Sequence, residues 1–179
     1  MKNIEFSDIE ITGGYWKTKQ EINSRATLMS VYGRFKETHR FDALRCEQKE
    51  GDTYLPHIFW DSDVAKWLEG AAYILNFKDD ETVTAIIENA IDCIIENSDE
   101  NGNFNSHFLV TEQNNRFRNR SCHELYCAGH LIEAAVAYYE ITGKDRFLKA
   151  MCKFADYIER VFRIEKSAAF TTPGHPELE

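Results

Sequence analysis

Apolar residues recur every three or four positions along most of this chain, and the turns lie where that period breaks. Residues 62–75, SDVAKWLEGAAYIL, predict a helix of about four turns. FKDD is a turn, and residues 81–97, ETVTAIIENAIDCIIEN, predict a second helix. Residues 122–143, CHELYCAGHLIEAAVAYYEITG, predict a third, closed by Gly143, and KDRFLKAMCKFADYIERVF a fourth. An earlier helical pattern covers residues 17–36. Residues 40–60 have no clear period, and GDTYLP within them has the look of an ordered loop. SDENGNFNSHF carries the Asn-Gly signal of a tight loop or small hairpin. At the start, IEFSDIEIT (residues 4–12) alternates apolar and polar residues and predicts a short strand or extended arm, ended by Gly13 and Gly14. At the other end, TTPGHPELE puts Pro176 at a first helical position, where proline opens a helix.

The helices repeat. WLEGAAYILNFKDDETV, from Trp67, aligns with LIEAAVAYYEITGKDRF, from Leu131, at an offset of 64, and the same offset pairs Ile94 with Ile158. Tandem helical hairpins predict a solenoid or a closed α/α toroid. Such arrays need about three units and a capped end. The chain reaches Glu179 just as another helix begins, so residues 1–179 are expected to be the N-terminal part of a larger domain.

Composition narrows the function. Hydrophobic residues make up 43% of the chain, enough for a packed core. The net charge of −9, with no long Lys/Arg run, argues against nucleic acid or an anionic membrane as partner. No apolar run is of membrane-spanning length and MKNIEFSDIE is no signal peptide. Five cysteines (Cys46, Cys93, Cys122, Cys127, Cys152) at irregular spacing predict reduced thiols in the cytoplasm. Aromatics at 13% would suit sugar stacking, but they are explained first by a helical core.

The chemistry concentrates in SCHELYCAGHLIEAA, residues 121–135. Ser121 and Glu124 match a capping box, which would start the helix at Ser121. At about 100° per residue, Leu125, Ala128, Ile132, Ala135, Val136 and Tyr139 share one face, and His123, Cys127 and His130 form a stripe opposite. Three readings of the stripe stand: a zinc site using the His123–Cys127 spacing, a structural helix with satisfied polar groups, or the wall of a binding cleft. HELYC is not HExxH, and His130 lies two turns from His123, which disfavours zinc. In a toroid, inner helices run parallel and their N-termini gather at one rim. Asp61 and Asp63, at the start of the first long helix, would then face a common cleft with His123 and His175.

FWDSDVAKWLEGAAYIL, CHELYCAGHLIEAAVAYYEITG and PGHPELE together resemble the β-L-arabinofuranosidase family of glycoside hydrolases (family 127), in order along nearly the whole chain. The resemblance implies an all-α fold in which the helical hairpins form part of an (α/α)6 barrel. It implies L-arabinofuranose-containing glycosides as substrates, cleaved with retention of configuration. The family's histidines of the HELY and Pro-Gly-His blocks contact the arabinose hydroxyls, and these match His123 and His175. The family's cysteine nucleophile, its zinc held by cysteines and a glutamate, and its acid/base glutamate have no counterpart in this chain. Cys127 lies in the HELYC block and not in the zinc motif. The expectation is therefore a chain that supplies substrate-binding residues, has no catalytic or metal-ligating residue of its own, and is inactive alone, with zinc expected in the full-length relatives. The alternative is a non-catalytic helical module that binds sugar or protein. In either case the uncovered helices of a half barrel favour self-association.

Overall fold

The computed structural model describes residues 4 and 6–178. Its regular elements are all helical: α1 (Gly14–Ile22), α2 (Leu28–Glu37), α3 (Arg40–Ala43), α4 (Trp60–Leu75), α5 (Glu81–Asn97), α6 (Ser106–Val110), α7 (Glu124–Thr142) and α8 (Arg146–Glu159). A π-helical turn, Asn23–Thr27, joins α1 to α2 without a break, so the pattern predicted over 17–36 is one long, bulged helix.

The two sequence repeats are two helical hairpins, α4–α5 and α7–α8. Positions 64 apart play the same part in each. Val83 and Phe147, Ile87 and Met151, Ala90 and Phe154, and Ile94 and Ile158 are all buried. The first helices of the two hairpins, α4 and α7, pack along each other. They run parallel: Phe59 meets His123 at one end, Lys66 Nζ donates to the Tyr126 hydroxyl a turn later, and Tyr73 lies near Glu133 and Glu140 further on. Small buried residues on both helices, Ala65, Ala71 and Ala72 on α4 and Ala128, Ala134 and Ala135 on α7, fit a close approach. Polar groups fasten the second hairpin to the first. Glu88 of α5 accepts hydrogen bonds from Tyr138, Lys144 and Arg146. Burial raises the Glu88 carboxyl, but these three donors outweigh it and hold the group down at about 2. The long N-terminal helix lies against α4, where the Trp67 indole donates to the Leu28 carbonyl at 2.9 Å and stacks with Tyr32 and Phe41.

Two local expectations are corrected. Among the described residues there is no strand. Phe6–Asp8 close a 3₁₀ turn, with Ile9 N–H donating to the Phe6 carbonyl, and the Phe6 ring rests on Tyr73. Alternation alone makes no strand where no second strand is at hand to pair with. The capping box does not form either. Ser121 sits in a 3₁₀ turn, Arg120–Cys122, and its N–H donates to the Asn119 side chain. The chain enters α7 through His123 at φ 57°, and Glu124 reaches back to the Phe117 N–H at 2.6 Å.

Because Phe154 is buried at the centre of the α8 face that the repeat defines, Phe154→Ala is expected to lower unfolding stability by about 3–5 kcal/mol. Equilibrium urea denaturation checks this value.

Candidate functional site

A cleft of about 590 Å³ opens at the N-terminal ends of α4 and α7. Its floor and walls come from Phe59, Trp60 and Asp63 at the start of α4, His123 and Tyr126 at the start of α7, and His175 from the segment after α8. Arg40, His57 and Lys66 complete the polar rim.

The His123 ring lies 4.6 Å from Phe59 and 6.4 Å from His175, centroid to centroid, and the His175 ring lies 4.7 Å from Tyr126. The left-handed backbone of His123, which a non-glycine residue adopts at some strain, aims the ring at this position. Its Nδ1 is buried and has no hydrogen-bond partner. Burial first, and the nearby His175 second, push the His123 pKa below its ordinary value, so the ring is neutral near pH 7. A neutral imidazole offers one donor and one acceptor, which suits a hydroxyl ligand.

The two aspartates separate. Asp63 lines the cleft, where its carboxylate accepts from Arg40 Nε at 2.7 Å, and the Arg40 guanidinium stacks on Trp60. Asp61 is buried at 2% exposure and accepts from the Ser106 N–H at 2.7 Å and the Ser106 hydroxyl at 2.6 Å. Two positions along a helix is about 200°, so the pair cannot share a face. Asp61 anchors α6 beneath the site, whereas Asp63, His123 and His175 come together in it.

The α7 stripe is also divided. His123 faces the cleft, but Cys127 is fully buried and its Sγ lies 3.2 Å from the Ile58 carbonyl. Val136 and Tyr139, expected on the packing face, are exposed, while Leu131, Ala134 and Tyr138 are buried. The helix packs on α4 and α8 at once, so its buried arc is wider than a single apolar stripe. The contributions of Arg40, Lys66 and Tyr126 were not anticipated. Tyr126 carried a signal, one turn beyond His123, but Arg40 comes from a segment with no period.

Burial is the largest cause that pushes the Cys46, Cys93, Cys122 and Cys127 thiols up, Cys46 to about 12. Among the described residues, one set of three metal-type donors lies close together, His130, Glu133 and Glu177, within 4.8 Å of one another, and it holds no cysteine. Hydrogen bonds within this set account for its geometry.

Burial raises the Asp61 carboxyl to about 6, against opposing hydrogen bonds from Ser106. The folded state therefore binds the proton more tightly, and stability falls as pH rises from about 4 to about 6. Asp61→Ala is expected to flatten that slope in pH-dependent melting and to lower stability by about 3 kcal/mol, since Ser106 keeps two buried donors without a partner.

Residues 8–179 match the family model for the β-L-arabinofuranosidase GH127 catalytic domain. A non-reducing end β-L-arabinofuranosidase of Bifidobacterium longum subsp. longum is 35% identical over 133 residues, which is 72% of this chain and 20% of that protein. The crystal structure of a GH127 β-L-arabinofuranosidase from Geobacillus stearothermophilus T6 superposes with a TM-score of 0.86 at 34% identity, over 94% of this chain and 28% of that one. A second GH127 β-arabinofuranosidase structure, 24% identical, shares the fold with a TM-score of 0.83 over 95% of this chain and 28% of its own. The chain thus spans about a fifth of the curated relative and little more than a quarter of the solved ones.

Proposed function

The chain belongs to the GH127 β-L-arabinofuranosidase catalytic-domain family, and we propose that it forms the sugar-holding side of a β-L-arabinofuranosidase active site. One observation carries this reading: His123 and His175, from segments 52 positions apart, converge on one cleft with aromatic walls. A furanose offers hydroxyls around its edge and an apolar face. The two imidazoles serve the hydroxyls, Asp63 and Lys66 stand at the rim, and Phe59, Trp60 and Tyr126 supply surfaces for the face.

The bond-breaking groups lie elsewhere on this reading. Among the described residues, the only carboxylate lining the cleft, Asp63, is paired with Arg40, and the Cys127 thiol below it is buried and held protonated. Neither is a ready acid, base or nucleophile. Zinc, where relatives use it, would be held by residues other than these five cysteines and would keep a nucleophilic thiol deprotonated. The (α/α)6 barrel belongs to this proposal and is supported by the two parallel hairpins. So does self-association through uncovered helical faces, supported by exposed Tyr15 and Trp16. Five free cysteines support a cytoplasmic setting, the acidic charge supports partners other than nucleic acid, and no helix among the described residues is long and apolar enough to cross a membrane.

Binding of a methyl β-L-arabinofuranoside to the 179-residue chain is expected to shift the His123 and His175 ring signals in NMR. His123→Ala and His175→Ala should each weaken binding roughly tenfold, with the melting temperature little changed. Hydrolysis of an aryl β-L-arabinofuranoside by this chain alone is expected to be undetectable, and measurable arabinose release would overturn the division of labour.

A further inference from the structure

His175 reaches the cleft from a segment with little regular structure, residues 165–178, closed by the 3₁₀ turn Pro176–Leu178. That turn packs along α7. Two glycines allow the approach. A Cβ on Gly129, in the middle of α7, would lie 2.5 Å from the Glu177 carbonyl oxygen, and one on Gly174 would lie 2.7 Å from the Arg120 carbonyl oxygen. Glu177, two residues beyond His175, turns its side chain into α7. Its Oε1 lies 3.0 Å from His130 Nδ1, and Glu133 Oε2 lies 3.2 Å from the same nitrogen. The His130 ring is nearly enclosed, at 8% exposure for the residue, and it packs edge-on to Tyr126, the residue that also stacks on His175.

We propose that Glu177, gripped by His130 and Glu133 of α7, is a positioning residue that seats His175 in the cleft. Its value for sugar binding rests on the function proposed above, while the seating itself does not. His130 Nδ1 faces both carboxyls at once, and Glu177 crowds Glu133, which favours the protonated form of Glu133. Among the described residues, His130 is the only basic side chain in contact with either carboxyl. Around them stand Glu69, Tyr73 and Lys66 from α4, Glu140 further along α7, and His175 itself. Lys66 is turned to the Tyr126 hydroxyl. Burial raises the Glu133 carboxyl, and Glu177 and Glu69 raise it further, to about 7. Burial first, and the Lys66 charge next, push the His130 pKa below its ordinary value, partly opposed by Glu177. Seating brings Glu177 against Glu133 and so raises the Glu133 carboxyl above the value it has when the segment is released. Seating is therefore firmest below that value and loosens as pH rises towards 7.

The test is NMR on the 179-residue chain between pH 4.5 and 8, following amide exchange in residues 174–178 and the His175 ring signals. In the native chain, protection of the segment, corrected for intrinsic exchange, is expected to fall roughly fivefold across this range. Glu133→Gln keeps a donor towards Glu177, so it should stay protected with no such slope. Glu177→Ala should lose the protection at every pH and shift the His175 ring signals, while the amides of α4 and α7 stay protected. Glu177→Gln should restore part of the protection. Gly129→Ala leaves every ionisable group in place but displaces the Glu177 backbone, and should shift the His175 signals too. Unchanged His175 signals in Glu177→Ala and Gly129→Ala would overturn the proposal, as would a native pH slope in Glu133→Gln. No sugar enters these readouts. Intact seating with no arabinoside binding would therefore count against the proposed function and not against the clamp.

Discussion

The parallel contact between α4 and α7 is the constraint on which the rest of this structure depends. Both helices bury alanines at full enclosure, so their backbones fit close together, and the tight fit fixes their register. Register decides which groups meet. It sets Phe59 beside His123, Lys66 beside Tyr126, and Glu69 near Glu133. Because the helices run the same way, their N-terminal ends share one rim, and the cleft lies there. An antiparallel pair with the same residues would send His123 to the far end of α4 and leave no cleft of this composition.

Polar residues near that rim divide by how they are satisfied. Asp61 and Glu124 are buried and accept hydrogen bonds inside the fold, Asp61 from the Ser106 N–H and hydroxyl at the start of α6 and Glu124 from the Phe117 N–H. They spend their chemistry on holding α6 and the Phe117 turn in place. Burial raises Glu124 to about 7, over the opposing hydrogen bond from Phe117. A carboxyl displaced that far would attract a catalytic reading, yet its partner is a main-chain N–H in the fold's own interior. His123 is the opposite case. Its ring stays at the cleft surface, one nitrogen lacks a partner, and its backbone sits in a conformation that favours glycine. Strain and an unmet hydrogen bond together fit the ligand-binding role proposed for it.

Much of this was legible in the sequence because helical periodicity and an internal repeat speak directly to packing. The offset of 64 predicted two equivalent hairpins, and four pairs of buried residues on α5 and α8 bear that out. What failed was local. Ser121 and Glu124 have the right spacing for a capping box, but the Phe117 N–H, which the sequence cannot place, competes for Glu124 and wins. The assignment of faces on α7 failed because a helix wedged between two neighbours buries more than one stripe. The aspartates of Asp-Ser-Asp could have been separated by rotation alone, since residues two apart on a helix point to different sides. Arg40 was out of reach: its position beside Asp63 depends on how an aperiodic segment folds back over α4.

The histidines show how a site can be built from parts of unequal firmness. His123 is fixed by α7, a long helix with its own core contacts on most sides. His175 has no such helix beneath it and borrows its rigidity from α7 through Glu177 and through backbone contacts at Gly129 and Gly174. The same helix therefore holds one imidazole directly and the other by a reach of two residues. Any displacement of α7 moves both rings together, so their separation is protected better than their distance from α4. On the function proposed above, that separation matters most, because two imidazoles spaced wrongly cannot both meet the hydroxyls of one sugar.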